Sequence, residues 1–216
     1  GAKFIVSPGF NPKVVSHCIE KNIPITPGIS NPSDMEQAIE MGLDAVKFFP
    51  AVPSGGLSMI KALAAPYHTM RFMPTGGVTP QNLTEFLDYP KILACGGTWM
   101  VKPELLATGN FEEITRLTRQ TVRTMLDLKI DELTLPFPHT GNNLSDALHG
   151  LINLSSGSTK ELTISCRYLK RTIYHLEKNG ATFRYDNAKY DSAGNMDAID
   201  FSDAPEEFSI RLIEKH

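Results

Sequence analysis

Asp44-Ala45-Val46-Lys47-Phe48-Phe49-Pro50-Ala51 is a short apolar run broken by one lysine and closed by a proline, with Pro53-Ser54-Gly55-Gly56 just beyond it. The run reads as a buried strand that ends in a tight turn. A lysine hemmed by Val46 and Phe48 is badly placed for solvent. Desolvation disfavours the ammonium, so such a side chain tends toward the neutral, nucleophilic amine. Schiff-base chemistry on a carbonyl substrate needs that form. The other reading of Lys47 is a strand-end side chain whose stem packs while its head reaches water.

The same pattern recurs on both sides of this run. Lys3-Phe4-Ile5-Val6, Ile23-Pro24-Ile25-Thr26, Ala45 to Phe49, Met70-Arg71-Phe72-Met73 and Lys91-Ile92-Leu93-Ala94-Cys95 are short and apolar, and each runs into a Gly/Pro-rich turn. Near-continuous apolar strands alternating with amphipathic helices predict a parallel sheet covered by helices. Asn31 before Pro32 and Thr79 before Pro80 mark helix starts, and Gly42 marks a helix end. A last helix is expected from about Glu112 to Leu128, with Ile114, Leu117, Thr121 and Met125 on one face. Such βα units in series fit either a (β/α) barrel or an open doubly wound sheet. They fall about three units short of an eight-stranded barrel, which would leave bare strand edges.

Residues 129–159 read as a linker, rich in Pro, Asn, Gly and Ser from Leu135 to Ser158, with room for one short helix over Ala147 to Leu154. The periodicity changes again at residue 160. Leu162, Ile164 and Cys166 alternate, and Leu169, Ile173 and Leu176 form a helical stripe ended by Asn179-Gly180. Strands follow around Thr182 to Tyr185, Asp197 to Phe201 and Phe208 to Leu212. Residues 160–216 thus predict a small α+β βαβββ domain, too small to bury much core alone. The expected organisation is 1–128, linker 129–159, and 160–216.

The 216-residue chain is 41% hydrophobic with net charge −3, ordinary for a globular protein. Its basic residues are scattered, which argues against nucleic acid as a partner. No apolar run is long enough for a bilayer, and no signal-peptide pattern opens the chain. Cys18, Cys95 and Cys166 are widely spaced and odd in number. That predicts reduced thiols in a cytoplasmic protein, without a disulfide framework or zinc spacing. No metal and no other cofactor is expected.

In parallel β/α folds, ligands bind at the carboxyl ends of the strands, where Lys47 and the turns lie. Thr75-Gly76-Gly77 and Gly96-Gly97-Thr98 are consecutive βα turns. Paired glycines let backbone N–H groups approach an anion, although they also simply make tight turns. An amine beside an anion cradle suits a phosphorylated carbonyl compound handled through an imine.

The runs Gly1 to Gly9, Ile25-Thr26-Pro27-Gly28-Ile29-Ser30, Val46-Lys47-Phe48-Phe49-Pro50-Ala51, Phe72-Met73-Pro74-Thr75-Gly76-Gly77-Val78 and Gly96-Gly97-Thr98-Trp99 resemble the KDPG/KHG aldolase family. The resemblance implies a TIM barrel and a class I aldolase. Such an enzyme cleaves 2-keto-3-deoxy-6-phosphogluconate or 4-hydroxy-2-oxoglutarate to pyruvate plus an aldehyde. It further implies a homo-oligomer, usually a trimer, that needs no metal. By the same resemblance, Lys47 matches the imine-forming lysine and Phe49 lines the pyruvate part of the pocket. Thr75, Gly76, Gly77, Gly96, Gly97 and Thr98 match the phosphate-binding turns. The family's acid/base glutamate, its carboxylate-binding arginine and a third-strand threonine belong to strands before the segment where this chain starts. That implies the alternative of an incomplete half barrel that binds a phosphorylated ligand or another chain. Val52 stands where many relatives carry an acidic residue. Residues 160–216 are similar to half of a glyoxalase/VOC-type module, with Glu214 as a solvated strand-end charge.

Overall fold

The computed structural model describes residues 1–135, 153–156, 160–205 and 208–215. Contacts divide the chain into two compact units, Gly1–Thr121 and Val122–His216.

In the first unit the strands are β1 (Ile5–Val6), β2 (Ile25–Thr26), β3 (Gly28–Ile29), β4 (Ala45–Phe48) and β5 (Arg71–Pro74). β1 pairs with β2, β3 with β4 and β4 with β5, all parallel. Pro27 has no N–H to give and separates β2 from β3, yet its carbonyl still accepts from Lys47 N at 2.8 Å. The expected strand at Lys91–Cys95 runs beside β5 but touches it only as two parallel bridges, Phe72 to Ile92 and Thr75 to Gly96. Pro74 explains the gap, since it lacks the N–H that the ladder would require between them. The strands therefore lie in chain order as two parallel sheets, β1-β2 and β3-β4-β5, that adjoin at Pro27. A doubly wound sheet would reverse its order at a switch point, and none occurs among the described residues of this unit.

Strand alternation gives these strands two different faces. Val46, Phe48, Phe72 and Ile92 are 0–3% exposed, and burial of each large side chain contributes about 1.5–3 kcal/mol. Val6, Thr26, Lys47, Met73 and Leu93 occupy the other face, where Val6 and Leu93 are each 39% exposed.

The helices α1 (Pro12–Glu20), α2 (Pro32–Glu40), α3 (Gly56–Ala64), α4 (Leu83–Leu87), α5 (Pro103–Ala107) and α6 (Phe111–Leu126) follow in turn. Asn31 caps α2 by accepting from Asp34 N at 3.0 Å. Gly42, at φ +76°, ends it with Leu43 N donating to Ala38 O. After α3, the Lys91 ammonium donates to the carbonyls of Ala64, Tyr67 and His68 at 2.9–3.3 Å, giving each of its three protons an acceptor. The start expected at Pro80 moves to Leu83. The Asn82 side chain bonds back to Thr79 N and Gly77 O, and such local bonds compete with helix.

The division between the units falls inside α6. Leu126, 5% exposed, offers its carbonyl to Arg167 N at 3.0 Å, so the last turn of α6 is tied to the second unit. That unit holds β6 (Lys129–Leu135), β7 (Asn153–Ser156), β8 (Lys160–Cys166), α7 (Leu169–Glu177), β9 (Phe183–Tyr190), β10 (Met196–Phe201) and β11 (Phe208–Glu214). They form one sheet in the order β7-β6-β8-β11-β10-β9. The expected linker is corrected here, because 129–135 and 153–156 are strands of that sheet; residues 147–152 of the expected helix lie outside the described residues. A bulge between Ile130 and Glu132 breaks the alternation by which β6 would announce itself. Cys166, Leu169, Ile173, Phe183, Ile199 and Leu212 form the core between α7 and the sheet. Among the described residues, no helix is long and apolar enough to cross a membrane.

Candidate active site

Lys47 lies near the carboxyl end of β4, between Gly28 of β3 and Met73 of β5. It is half-buried, and its ammonium sits 4.4 Å from the centroid of the Phe49 ring. Burial pushes its pKa below the ordinary lysine range, and desolvation is the one cause at work. Among the described residues, no carboxylate offsets it. Asp44 pairs with Arg71 at 2.8 Å, Glu36 accepts from Tyr67, and Asp34 accepts from Ser30 N and Asn31.

Phe49 connects the lysine to the first glycine turn. Its ring edge stands 3.1 Å from where a Cβ on Gly76 would lie, and Gly76 itself takes φ +87°. Both observations require glycine there. The strand ends continue side by side, with Thr75 N donating to Phe48 O, Ala51 N to Thr75 O and Val52 N to Gly76 O. Val52 packs on this turn, 2.6 Å from a Cβ position on Gly77. The Thr75 hydroxyl is buried with no partner among the described residues.

The second turn follows from the Thr75–Gly96 bridge. Of its three residues, Gly96 is not an anion donor, because its N–H already donates to Pro74 O at 3.0 Å. Its lack of a side chain serves packing instead, since a Cβ would stand 2.6 Å from Thr75 Cγ2. Among the described residues, the N–H groups of Gly76, Gly77, Gly97 and Thr98 are left without acceptors. Thr98 and Gly77 are exposed, and Gly97 is half-buried.

Sequence reasoning missed two supports of these turns. The Asn82 carboxamide accepts from Thr79 N at 2.8 Å and donates to Gly77 O at 3.0 Å, bracing the first turn. Trp99 lies over Gly97, and its indole N–H donates to Thr121 at 3.2 Å. Asn82 sits at a distance where local side chain–backbone bonds are common, so it carried a readable signal; Trp99 did not. Glu214 is corrected as well. Its carboxylate accepts from Leu169 N at 2.8 Å, capping α7 rather than facing water. Among the described residues, no group of three His, Cys, Asp or Glu side chains is placed to hold a metal ion.

The first unit is thus a parallel β/α protein whose ligand end carries a desolvated amine and unpaired backbone N–H groups. The chain belongs to the KDPG and KHG aldolase family, whose sequence model matches residues 1–117. It is 50% identical over 123 residues to 2-dehydro-3-deoxy-phosphogluconate aldolase of Treponema pallidum, covering 57% of this chain and 59% of that protein. It is 38% identical over 122 residues to KHG/KDPG aldolase of Escherichia coli, covering 56% and 57%. Among solved structures, KDPG aldolase from Legionella pneumophila, holding pyruvate as a covalent carbinolamine, superposes with a TM-score of 0.53 at 34% identity over 58% of each chain. The chain spans somewhat more than half the length of the curated relatives it matches.

Proposed function

We propose that the first unit performs the Schiff-base chemistry of a class I aldolase acting on 2-keto-3-deoxy-6-phosphogluconate, 4-hydroxy-2-oxoglutarate or both. The neutral amine of Lys47 attacks the 2-keto carbon to give a carbinolamine, and loss of water gives the imine. A base takes the C4 hydroxyl proton, the C3–C4 bond breaks, and its electrons move into the protonated imine. The aldehyde departs. The remaining enamine takes a proton at C3, and hydrolysis returns Lys47 and pyruvate. In this reading Phe49 walls the pyruvate part, and the free N–H groups of Gly76, Gly77, Gly97 and Thr98 receive the phosphate, beside Thr75.

One observation carries the reading: a half-buried lysine, without a counter-ion among the described residues, shares an aromatic ring with the first glycine turn. Its kinship to an aldolase solved with covalently captured pyruvate supports the same chemistry. Borohydride reduction in the presence of pyruvate tests it. The account expects a stable adduct at Lys47 that Lys47→Ala removes; an unlabelled wild-type chain ends it.

A second reading is the catalytically incomplete half barrel that depends on a partner. It is favoured by the exposure of Val6 and Leu93 on the lysine's face and by the engagement of Asp34, Glu36 and Asp44 with other groups. Release of pyruvate from 2-keto-3-deoxy-6-phosphogluconate by the chain alone selects the first reading, and trapping without turnover selects the second. The TIM-barrel architecture, trimeric assembly and cytoplasmic location belong to the proposal, as family expectations, together with Cys18, Cys95 and Cys166, none of them in a disulfide among the described residues. The VOC-type reading of residues 160–216 rests on their strand–helix–three-strand order alone.

A further inference from the structure

The second glycine turn is pinned at both ends by its backbone. Gly96 N donates to Pro74 O at 3.0 Å, and Thr98 O accepts from Val101 N at 3.1 Å. Between these anchors the peptide planes presenting the Gly97 and Thr98 N–H groups have no backbone partner among the described residues. Against this turn lies Trp99, the single tryptophan of the chain. Its six-membered ring covers Gly97 so closely that any Cβ there would collide with it. The ring is itself held, because the indole N–H donates to Thr121 Oγ1 at 3.2 Å on α6. The Thr121 hydroxyl donates its proton to Leu117 O at 2.9 Å. Its proton is therefore committed and its lone pair faces the indole, giving a directed chain from helix backbone to ring.

We propose that Trp99 is the positioning residue of the second anion turn: locked by Thr121, its ring sets the direction in which the Gly97 and Thr98 N–H groups meet a phosphoryl oxygen. The inference rests on the anion reading of the glycine turns. A neutral hydrogen bond contributes about 0.5–1.5 kcal/mol, so releasing the ring weakens phosphate binding by about two- to tenfold.

Calorimetric titration of the full chain with glycerol 3-phosphate, run beside pyruvate–borohydride labelling of Lys47, tests this. Thr121→Val keeps the shape of the side chain and loses the acceptor, whereas Trp99→Phe keeps an aromatic ring but loses the indole N–H and the outer ring over Gly97. The expected result is glycerol 3-phosphate binding weakened two- to tenfold in both, restored by Thr121→Ser, with labelling at Lys47 unchanged. Wild-type affinity in both variants overturns the role of Trp99 and leaves the aldolase reading intact. Loss of labelling together with binding, with Thr121→Ser no better, shows a purely structural role and also overturns it. No binding by the wild type removes the anion reading and this inference with it. Binding without any pyruvate adduct breaks the aldolase reading while this inference stands.

Discussion

Lys47 and Arg211 are two cations on two sheets, each half-buried, and their surroundings treat them in opposite ways. Arg211, on β11, donates through Nε to Asp200 at 2.8 Å and through Nη1 to Glu161 at 2.7 Å, one carboxylate from each neighbouring strand. The bond to Asp200 is the main cause that raises its pKa. Lys47 has an aromatic ring and, among the described residues, no carboxylate, and burial lowers its pKa. A satisfied cation holds strands together. One that burial disfavours as an ammonium holds its proton less tightly, the direction an enzyme that needs an amine requires.

The largest effect separating the two concerns covalent labelling. Lys47→Arg keeps the charge and the length but cannot form an imine, so pyruvate–borohydride labelling falls to background, as peptide mapping will show. Arg211→Lys leaves labelling at the wild-type level, and a loss there would break the contrast.

Next in size is stability. Arg211→Met strands Asp200 and Glu161 on the sheet, and removing one partner of a partly buried pair costs about 1–3 kcal/mol once solvent screening is allowed for. Chemical denaturation should show that loss. Lys47→Met should cost nothing or stabilise slightly, because it removes a desolvated charge. If Lys47→Met is the more damaging, Lys47 has a partner and the contrast is wrong.

The pH dependence sharpens the same point. With its folded pKa below its unfolded one, Lys47 leaves the unfolded chain holding more protons in that window, so stability rises with pH there. The lysine contributes a penalty that is full below its folded pKa and gone above the ordinary lysine value. The difference in unfolding free energy between wild type and Lys47→Met should therefore shrink as pH climbs through that window. The smallest effect belongs to Arg71, whose pair with Asp44 is exposed on both sides, at 48% and 70%. Arg71→Ala should change stability by no more than about 0.5 kcal/mol.

Much of the first unit could be read before its structure, for local reasons. The Asn31-Pro32 cap, the Gly42 stop and the apolar strands around Val46 and Phe72 depend on neighbours within a few residues. Features made by distant contacts could not be read. Lys91 looked like the first residue of a strand, and its three acceptors lie 23 to 27 positions away. β6 was hidden by its bulge, and a continuous strand at Lys91–Cys95 was prevented by Pro74, whose missing N–H acts on a partner strand rather than on its own. At the site, the run around Lys47 and both glycine turns were visible. That Gly96 gives its N–H to Pro74, and that Trp99 folds back over Gly97, follow from placement in space alone.

The most direct test follows labelling of the full chain by pyruvate and cyanoborohydride as pH is raised, with the modified lysine located by peptide mapping. The account predicts label at Lys47, with an inflection below the ordinary lysine range. Label spread over exposed lysines with an ordinary inflection, or no label at residue 47 at any pH, contradicts it.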